Sequence, residues 1–190
     1  MTSIRLIRHG ETDWNALGKL QGRTDIPLNE TGMLQAEECR EFLNTSHWNV
    51  VITSPLKRAK QTAEIINGNR TVPVVEMEEF LERGYGDAEG MTFEERISKF
   101  PDKQYPNQED RASLNQRVME GIEKINQMYG DHQILLVAHG AVINAILAVL
   151  SNGEIGSGKT KLLNACMSNI YFHQGTWRVK DFNQTSHLSK

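Results

Sequence analysis

The sequence has few cysteines, little net charge and no long apolar run. Cys39 and Cys166, the only two cysteines among 190 residues, lie far apart and match no metal-ligand spacing, so we expect two reduced thiols in a cytoplasmic protein. The net charge of −3 argues against nucleic acid or an anionic membrane as the main partner. The longest apolar stretch, residues 141–150, is too short to span a membrane. None of these shortages excludes a local basic pocket that binds a small anion.

Short apolar runs rich in β-branched residues recur along the chain. Because these runs are continuous rather than alternating, we expect strands that are covered on both faces, as in a parallel α/β sheet. Near the end, "NIYFHQGTWRVKDF" predicts two further strands joined at Gln174-Gly175. The runs that predict buried strands are residues 4–8, 49–53, 72–77 and 133–139.

Helical patterns separate the predicted strands. One of them has both a start and a stop signal: Ser54 as the N-cap with Pro55 at the first helical position, and Gly68 past the end. Strands that alternate with helices indicate βαβ units, and the length fits a single domain over residues 1–190. The polar, proline-broken segment 91–110 is predicted to be an excursion that caps the active site.

Two histidines end predicted strands in the same sequence context. "LIRHGET" places His9-Gly10 after the first run, and "LLVAHGAV" places His139-Gly140 after the last. In an open α/β sheet, ligands bind just beyond the carboxyl ends of the strands. If the two strands are neighbours, the imidazoles can therefore face each other across a binding site.

Arginines accompany these histidines. Arg8 precedes His9, and Arg58 in "VVITSPLKR" lies one turn into a predicted helix, where a guanidinium and unpaired backbone N–H groups together attract an anion. With His139, these groups would surround a tetrahedral dianion through charge-assisted hydrogen bonds. The constellation indicates phosphoryl transfer, in which a neutral imidazole can serve as the nucleophile.

Phosphoryl transfer also needs a proton for the leaving oxygen. A carboxylic acid at another strand end can donate that proton and later accept one from the attacking water. The segment "EEFLERGYGDAEG" offers Glu82, Asp87 and Glu89 as candidates. Chemical reasoning from the residues alone does not choose among these three acids.

Four ordered segments resemble blocks of the histidine phosphatase superfamily, the group that includes cofactor-dependent phosphoglycerate mutases. They are "LIRHGET", "SPLKRAKQTA", "FLERGYGDAEG" and "LLVAHGAVI", and the resemblance runs from Ile4 to about Val179. It implies a phosphoglycerate mutase-like α/β fold, a three-layer α/β/α sandwich with a mostly parallel central sheet. It also implies an active site at the strand ends that uses no metal.

The resemblance assigns expected roles to individual residues. His9 corresponds to the phospho-accepting nucleophile, and Glu82 corresponds to the proton donor, which selects it from the three acids. The other positions that match the family's phosphate and substrate pocket are Arg8, Arg58, His139, Asn15, Gln21, Gly22 and Gly140.

The sequence favours a phosphatase over a mutase. The stretch between Glu82 and His139 is comparatively short. It lacks the adjacent arginine pair that the family's mutases use for the substrate carboxylate, since Arg111 and Arg117 stand apart. The tail after Phe182 is brief and polar, so we expect an open pocket that admits water.

We therefore expect a metal-independent phosphatase that hydrolyses small phosphomonoesters through a phosphohistidine on His9. The expected partner is a small phosphorylated metabolite rather than nucleic acid or a membrane, and the expected assembly is a monomer or a homodimer. We expect no cofactor. The alternative is a cofactor-dependent phosphoglycerate mutase, for which 2,3-bisphosphoglycerate would be the cofactor.

A different class of protein is suggested by "GEIGSGKT", residues 153–160. It fits the phosphate-loop pattern of NTP-binding proteins, with Lys159 on the phosphates and Thr160 on magnesium. Such a loop needs a strand before it and a helix after it. The preceding residues favour a helix, and too few residues follow for the remaining strands, so we expect a flexible Gly/Ser loop.

Two further alternatives concern the histidines. A metal site is disfavoured because neither His9 nor His139 has a partner at ligand spacing, and the nearby arginines favour an anion. A catalytically inactive binding module on the same fold is the other alternative, which is disfavoured because the expected site residues are all intact, namely Arg8, His9, Arg58, Glu82 and His139. Metal-independent phosphate release that His9→Ala abolishes would separate the enzyme from all of these alternatives.

Overall fold

The computed structural model of the chain describes residues 1–189, and its centre is one β-sheet. The strands of this part of the chain are β1 (Thr2–Arg8), β2 (Val50–Thr53), β3 (Val74–Glu76), β4 (Gln133–Ala138), β5 (Met167–His173) and β6 (Thr176–Gln184). Their order in the sheet is β3-β2-β4-β1-β5-β6. β1 to β4 are parallel, whereas β5 pairs antiparallel with both β1 and β6.

Helices cover both faces of this sheet. They are α1 (Asp13–Ala16), α2 (Glu30–Phe42), α3 (Lys57–Asn67), α4 (Phe93–Lys99), α5 (Arg111–Met128) and α6 (Gly140–Leu150), with short 3-10 helices at Glu78–Phe80 and Gly86–Ala88. Ile4 and Leu6 of β1 pack on the side of α5 and α6, and Ile7 packs on the side of α2 and α3. The predicted three-layer α/β/α sandwich with a mostly parallel sheet is confirmed. Within residues 1–189, no helix is long and apolar enough to cross a membrane.

The register of the central strands brings two chain segments together. β1 and β4 are parallel neighbours in which Leu6 pairs with Leu136 and Arg8 pairs with Ala138. The backbone N–H of His9 also donates to the carbonyl of Ala138 at 3.0 Å. Because the two strands end at the same level, the residues that follow them emerge side by side at the carboxyl edge of the sheet.

The strand predicted at residues 72–77 is shorter in the structure. Only Val74, Val75 and Glu76 pair with β2, at the edge of the sheet. Pro73 has no amide hydrogen to donate, although its carbonyl accepts from the N–H of Val51 at 2.9 Å. The proline therefore marks the point at which the ladder begins.

The predicted N-cap at Ser54 is wrong. α3 begins at Lys57, two residues after Pro55, and the N–H of Lys57 donates to a carboxylate oxygen of Asp25 at 2.8 Å. The cap thus comes from a side chain distant in sequence, which local pattern reasoning does not detect. The stop signal is correct, because Gly68 follows the last helical residue with a φ of 56°.

The segment 91–110 contains α4, which is followed by irregular chain up to α5. Its ends are tied to neighbouring loops: the carbonyl of Met91 accepts from Leu20 N–H at 3.0 Å, and that of Pro106 accepts from Asp87 N–H at 2.9 Å. That this segment caps the active site, within a single domain, stays a prediction.

The phosphate-loop hypothesis for residues 153–160 is wrong. The segment follows helix α6 rather than a strand, and residues 161–166 after it are irregular. The Lys159 ammonium donates to the carbonyl of Gly153 at 2.5 Å and thus closes the loop on itself. A phosphate loop requires the opposite order, a strand followed by a helix.

Close backbone packing fixes the chain just after β1, and Gly10→Ala tests it. A Cβ at Gly10 would lie 2.4 Å from the carbonyl oxygen of Gly32 in α2, so the backbone would have to move. We expect Gly10→Ala to lower the free energy of unfolding by about 2 kcal/mol in urea denaturation. The control is Gly84→Ala, whose Cβ would meet nothing closer than 3.6 Å. Equal denaturation midpoints for the two variants would contradict this account.

Candidate active site

The two histidines predicted to face each other do so. His9 follows β1, His139 follows β4, and their ring centroids lie 5.3 Å apart with an interplanar angle of 57°. His9 is 2% exposed, and His139 has no exposed surface. Both rings are therefore buried at the carboxyl edge of neighbouring strands, where His9 lines a cleft and the His139 ring lies next to it.

The hydrogen bond of His9 determines which of its nitrogens is free. Nδ1 lies 2.6 Å from the carbonyl oxygen of Gly10, and a carbonyl can only accept, so Nδ1 carries the ring proton. Burial, together with Arg58 and Arg8, lowers the pKa of His9 well below its usual value. The ring is therefore neutral at pH 7, and Nε2 carries a lone pair.

Two guanidinium groups are fixed next to the histidines. Arg58 is 1% exposed and donates to the carbonyls of Gly22 at 2.6 Å and Thr24 at 2.8 Å. Arg8 donates to the carbonyl of Leu162 at 2.5 Å. Burial lowers the pKa of Arg58 to about 10, which still leaves it charged at neutral pH. Within residues 1–189, the Nε atoms of both arginines are buried without a hydrogen-bond partner, so each has a donor available for an anion.

Glu82 meets the first turn of α6. Its Oε2 accepts from Ala141 N–H at 3.1 Å, and its Oε1 accepts from Val142 N–H at 3.3 Å and from Arg83 N–H at 2.8 Å. Burial raises the pKa of Glu82, although these hydrogen bonds and the arginines oppose the rise. The carboxyl group therefore retains a proton at higher pH than an exposed glutamate does, as a general acid requires.

The other two acids have structural partners instead. Asp87 is exposed and accepts from the side-chain amide of Asn107 at 3.1 Å. Glu89 accepts from the hydroxyl of Thr24 at 2.6 Å and from Tyr85 N–H at 2.9 Å, and so joins two loops. Of the three candidates, only Glu82 lines the same cleft as His9.

The remaining predicted residues surround this cleft, which has a volume of about 410 Å³. Asn15 and Gln21 are held through Thr12, whose N–H donates to Asn15 at 3.1 Å and whose hydroxyl donates to Gln21 at 2.8 Å.

Two glycines of the cleft lie next to its arginines. Gly22 adopts a φ of 55°, and its carbonyl accepts the hydrogen bond from Arg58. Gly140 opens α6 next to Arg8, where a Cβ would lie 3.5 Å from Nε.

Sequence reasoning missed Asn164, which connects the two sides of the site. Its side-chain amide donates to the carbonyl of His9 at 3.2 Å and to Oδ1 of Asn15 at 3.2 Å. The neighbouring Ala165 N–H also approaches the carbonyls of Arg8 and His9. No motif marks this asparagine, because its partners lie about 150 residues earlier in the chain.

Arg117, which has no adjacent arginine with which to bind a substrate carboxylate, supports the segment that carries Glu82. Its guanidinium donates to the carbonyls of Leu81 at 2.6 Å and Glu82 at 3.2 Å. It also donates to both carboxylate oxygens of Glu109 at 2.8 Å. The side chain therefore anchors α5 to the backbone that carries Glu82.

The cleft is also lined by residues that the sequence motifs did not assign to it. They are Lys19, Tyr85 and Lys161, and Ser157, Gly158 and Thr160 of the loop 153–160. A larger cavity of about 610 Å³ lies near the opposite ends of the strands, next to Arg5 and Trp48. None of the predicted site residues lines that larger cavity.

Comparisons with known proteins agree with this geometry. A family model described as the histidine phosphatase superfamily, branch 1, matches residues 4–185. The sequence is 53% identical to the uncharacterized phosphatase PhoE of Bacillus subtilis (strain 168), over 100% of this chain and 98% of that protein. It is 32% identical to a metal-independent phosphoserine phosphatase of Arabidopsis thaliana, over 100% of this chain and 84% of that protein. The solved structure of Bacillus stearothermophilus YhfR matches with a TM-score of 0.93 at 28% identity, over 98% of this chain and 99% of that chain.

These matches confirm the predicted family and the phosphoglycerate mutase-like fold. The family match covers nearly the whole chain, and the two curated relatives carry phosphatase names. The chain thus belongs to the histidine phosphatase superfamily and is a phosphoric monoester hydrolase of the histidine phosphatase type.

Proposed function

We propose that this protein is a metal-independent phosphatase that hydrolyses small phosphomonoesters through a phosphohistidine on His9. One observation carries the proposal: a neutral imidazole with a free Nε2 lines the same cleft as the guanidinium groups of Arg8 and Arg58 and a buried carboxyl group with a raised pKa. These are the nucleophile, the anion clamp and the general acid of a phosphoryl transfer.

In the first step, Nε2 of His9 attacks phosphorus in line with the ester oxygen. An N–P bond forms, the P–O bond to the leaving group breaks, and Glu82 transfers its proton to the departing oxygen. Arg8 and Arg58 hold the non-bridging oxygens, and their fixed positions avoid reorganisation as charge shifts between these oxygens. The products of this step are a free alcohol, a phosphohistidine and an ionised Glu82.

In the second step, water attacks the phosphohistidine. Glu82, now a carboxylate, accepts a proton from the water while the N–P bond breaks and its electrons return to Nε2 of His9. Inorganic phosphate leaves, and both residues regain their starting protonation states. One carboxyl group thus serves as acid and then as base.

The site supplies positive charge from side chains. Arg8 and Arg58 carry the charge that compensates the phosphoryl oxygens, so the proposal requires neither a metal nor another cofactor. The metal-independent name of the Arabidopsis relative supports this part of the proposal. The expected partner remains a small phosphorylated metabolite, in keeping with the phosphoserine phosphatase name of the same relative.

The C-terminal tail supports hydrolysis rather than phosphoryl transfer to a second hydroxyl. A mutase must keep water from its phosphohistidine, and longer members of the family are expected to use the tail as part of a cover. Here the hydroxyl of Ser189 donates to a carboxylate oxygen of Glu38 in α2 at 3.0 Å, and Leu188 packs against the core under α2 and α3. Both residues therefore lie against α2, and neither lines the cleft that contains His9.

Phosphorus NMR with 3-phosphoglycerate in EDTA, with and without 2,3-bisphosphoglycerate, tests the proposed function. We expect the inorganic phosphate signal to grow in both samples, since hydrolysis needs neither metal nor bisphosphate. A 2-phosphoglycerate signal that requires the bisphosphate would identify a mutase and contradict the proposal. Activity that EDTA abolishes and magnesium restores would contradict metal independence.

A further inference from the structure

His139 has two different ring nitrogens in this structure. Nε2 lies 2.7 Å from the hydroxyl oxygen of Ser54, a residue with no exposed surface. Nδ1 is equally buried but has no hydrogen-bond partner within residues 1–189. Buried polar atoms in folded proteins are almost always paired, so an unpaired one beside the His9 ring indicates a ligand contact.

The surroundings of Ser54 determine the direction of its hydrogen bond. Its oxygen accepts from the backbone N–H of Leu56 at 3.3 Å and, in the described residues, has no other partner besides His139. If Nε2 carried the ring proton, the serine oxygen would accept twice, and its own hydrogen would have no acceptor. The arrangement that gives both the oxygen and the hydrogen of the Ser54 hydroxyl a partner has this hydroxyl donating to Nε2.

The charge state of the ring agrees with this direction. Burial is the largest cause that lowers the pKa of His139, and Arg58, His9, Arg8 and Arg117 act in the same sense. A neutral imidazole has one ring proton, and if Nε2 accepts from serine, that proton must be on Nδ1.

We propose that Ser54 is a positioning residue that selects the Nδ1–H tautomer of His139, so that Nδ1 donates to a non-bridging oxygen of the phosphoryl group. The inference rests on the proposed function, because the acceptor is the transferring phosphoryl group. The two histidines then have opposite tautomers. His9 keeps its proton on Nδ1 for Gly10 and offers a lone pair on Nε2, whereas His139 offers an N–H.

The consequence for chemistry follows from the charge of the substrate. With the other tautomer, His139 would present a lone pair to an anionic oxygen and repel it. An enzyme with a histidine in the wrong tautomer loses much of its rate even when the geometry is intact. Ser54 thus acts on the reaction only through His139.

Nitrogen NMR of the unmutated protein, labelled with ¹⁵N-histidine, tests the tautomer without reference to activity. We expect the His139 ring to show a protonated Nδ1 and an unprotonated Nε2 at neutral pH. A protonated Nε2 would overturn the inference. His139→Gln, which removes the imidazole, assigns the signals.

Ser54→Ala tests the kinetic consequence. We expect kcat to fall by about tenfold to a hundredfold, less than the roughly 10²–10³ lost with a complete transition-state donor, while KM changes little. The control is Thr53→Val, which removes a buried hydroxyl that donates only to the Ser54 carbonyl at 3.0 Å. A kcat for Ser54→Ala within twofold of the control, or an unchanged tautomer signal, would overturn the inference.

The two proposals fail in different ways. If the unmutated protein releases no phosphate from any phosphomonoester, the proposed function is wrong, whatever the tautomer. If it releases phosphate but His139 carries its proton on Nε2, the function stands and the role of Ser54 is wrong. Should Ser54→Ala fail to fold, the measurement on the unmutated protein still decides.

Discussion

His9→Ala should lower kcat/KM for phosphomonoesters by at least about a thousandfold, because it removes the atom that forms the covalent bond. Arg8 and Arg58 can still bind the substrate, but without Nε2 of His9 no atom of the site can accept the phosphoryl group. Phosphate release measured with a sensitive coupled assay gives the number. Loss of activity should be accompanied by loss of any phosphorylated protein.

The control for this variant is His173→Ala, a change at an exposed histidine in β5. We expect it to retain activity within about twofold of the unmutated protein, as surface substitutions usually do. Urea denaturation should show that the His9 variant remains folded. Residual activity within tenfold of the unmutated protein would contradict the assignment of His9 as the nucleophile.

Glu82→Gln should lower kcat by about 10²–10⁴-fold, the usual contribution of a general acid–base, while vanadate affinity changes little. Glutamine occupies the same volume but cannot protonate the leaving oxygen or accept a proton from water. Vanadate imitates the transferring phosphoryl group and does not need that proton. The matched control is Asp87→Asn, which neutralises an exposed acid in the same loop and should leave kcat unchanged.

The pH dependence gives a second check on Glu82. Burial raises the pKa of its carboxyl group, and the proposed first step needs the protonated form. Turnover of an alkyl phosphate limited by this step should therefore be full below the raised pKa and fall as the pH rises through it. We expect the Glu82→Gln variant to lack this fall in turnover at high pH. The role assigned to Glu82 would be contradicted if the fall persisted in the variant. It would also be contradicted if the variant lost vanadate affinity as strongly as it lost kcat.

The strand-end motifs predicted most of the site because they combine position with chemistry. His9 and His139 each directly follow a buried strand, and parallel pairing of β1 with β4 brings them together. Arg58 was predicted to bind the anion because it lies near the start of a helix, α3. For Glu82, the residues alone left three acids open, and the resemblance made the selection.

The features of the fold and the site that the sequence does not predict depend on contacts between segments that are far apart in the chain. The capping carboxylate of α3 belongs to Asp25, and the amide that joins His9 to Asn15 belongs to Asn164. Arg117 supports Glu82 from a different helix. No local period or turn signal reports such contacts. The cytoplasmic location, the assembly as a monomer or homodimer and the capping role of residues 91–110 stay predictions.

The most direct test of the phosphohistidine mechanism is to trap the intermediate. The protein is mixed with excess phosphomonoester, quenched in alkali before one turnover is complete, and digested for mass spectrometry. We expect a phosphoryl group on His9 that forms at least as fast as turnover, with net retention of configuration at phosphorus over the whole reaction. Turnover with no phosphorylated His9 and with inversion at phosphorus would show direct attack by water and would contradict the phosphohistidine mechanism.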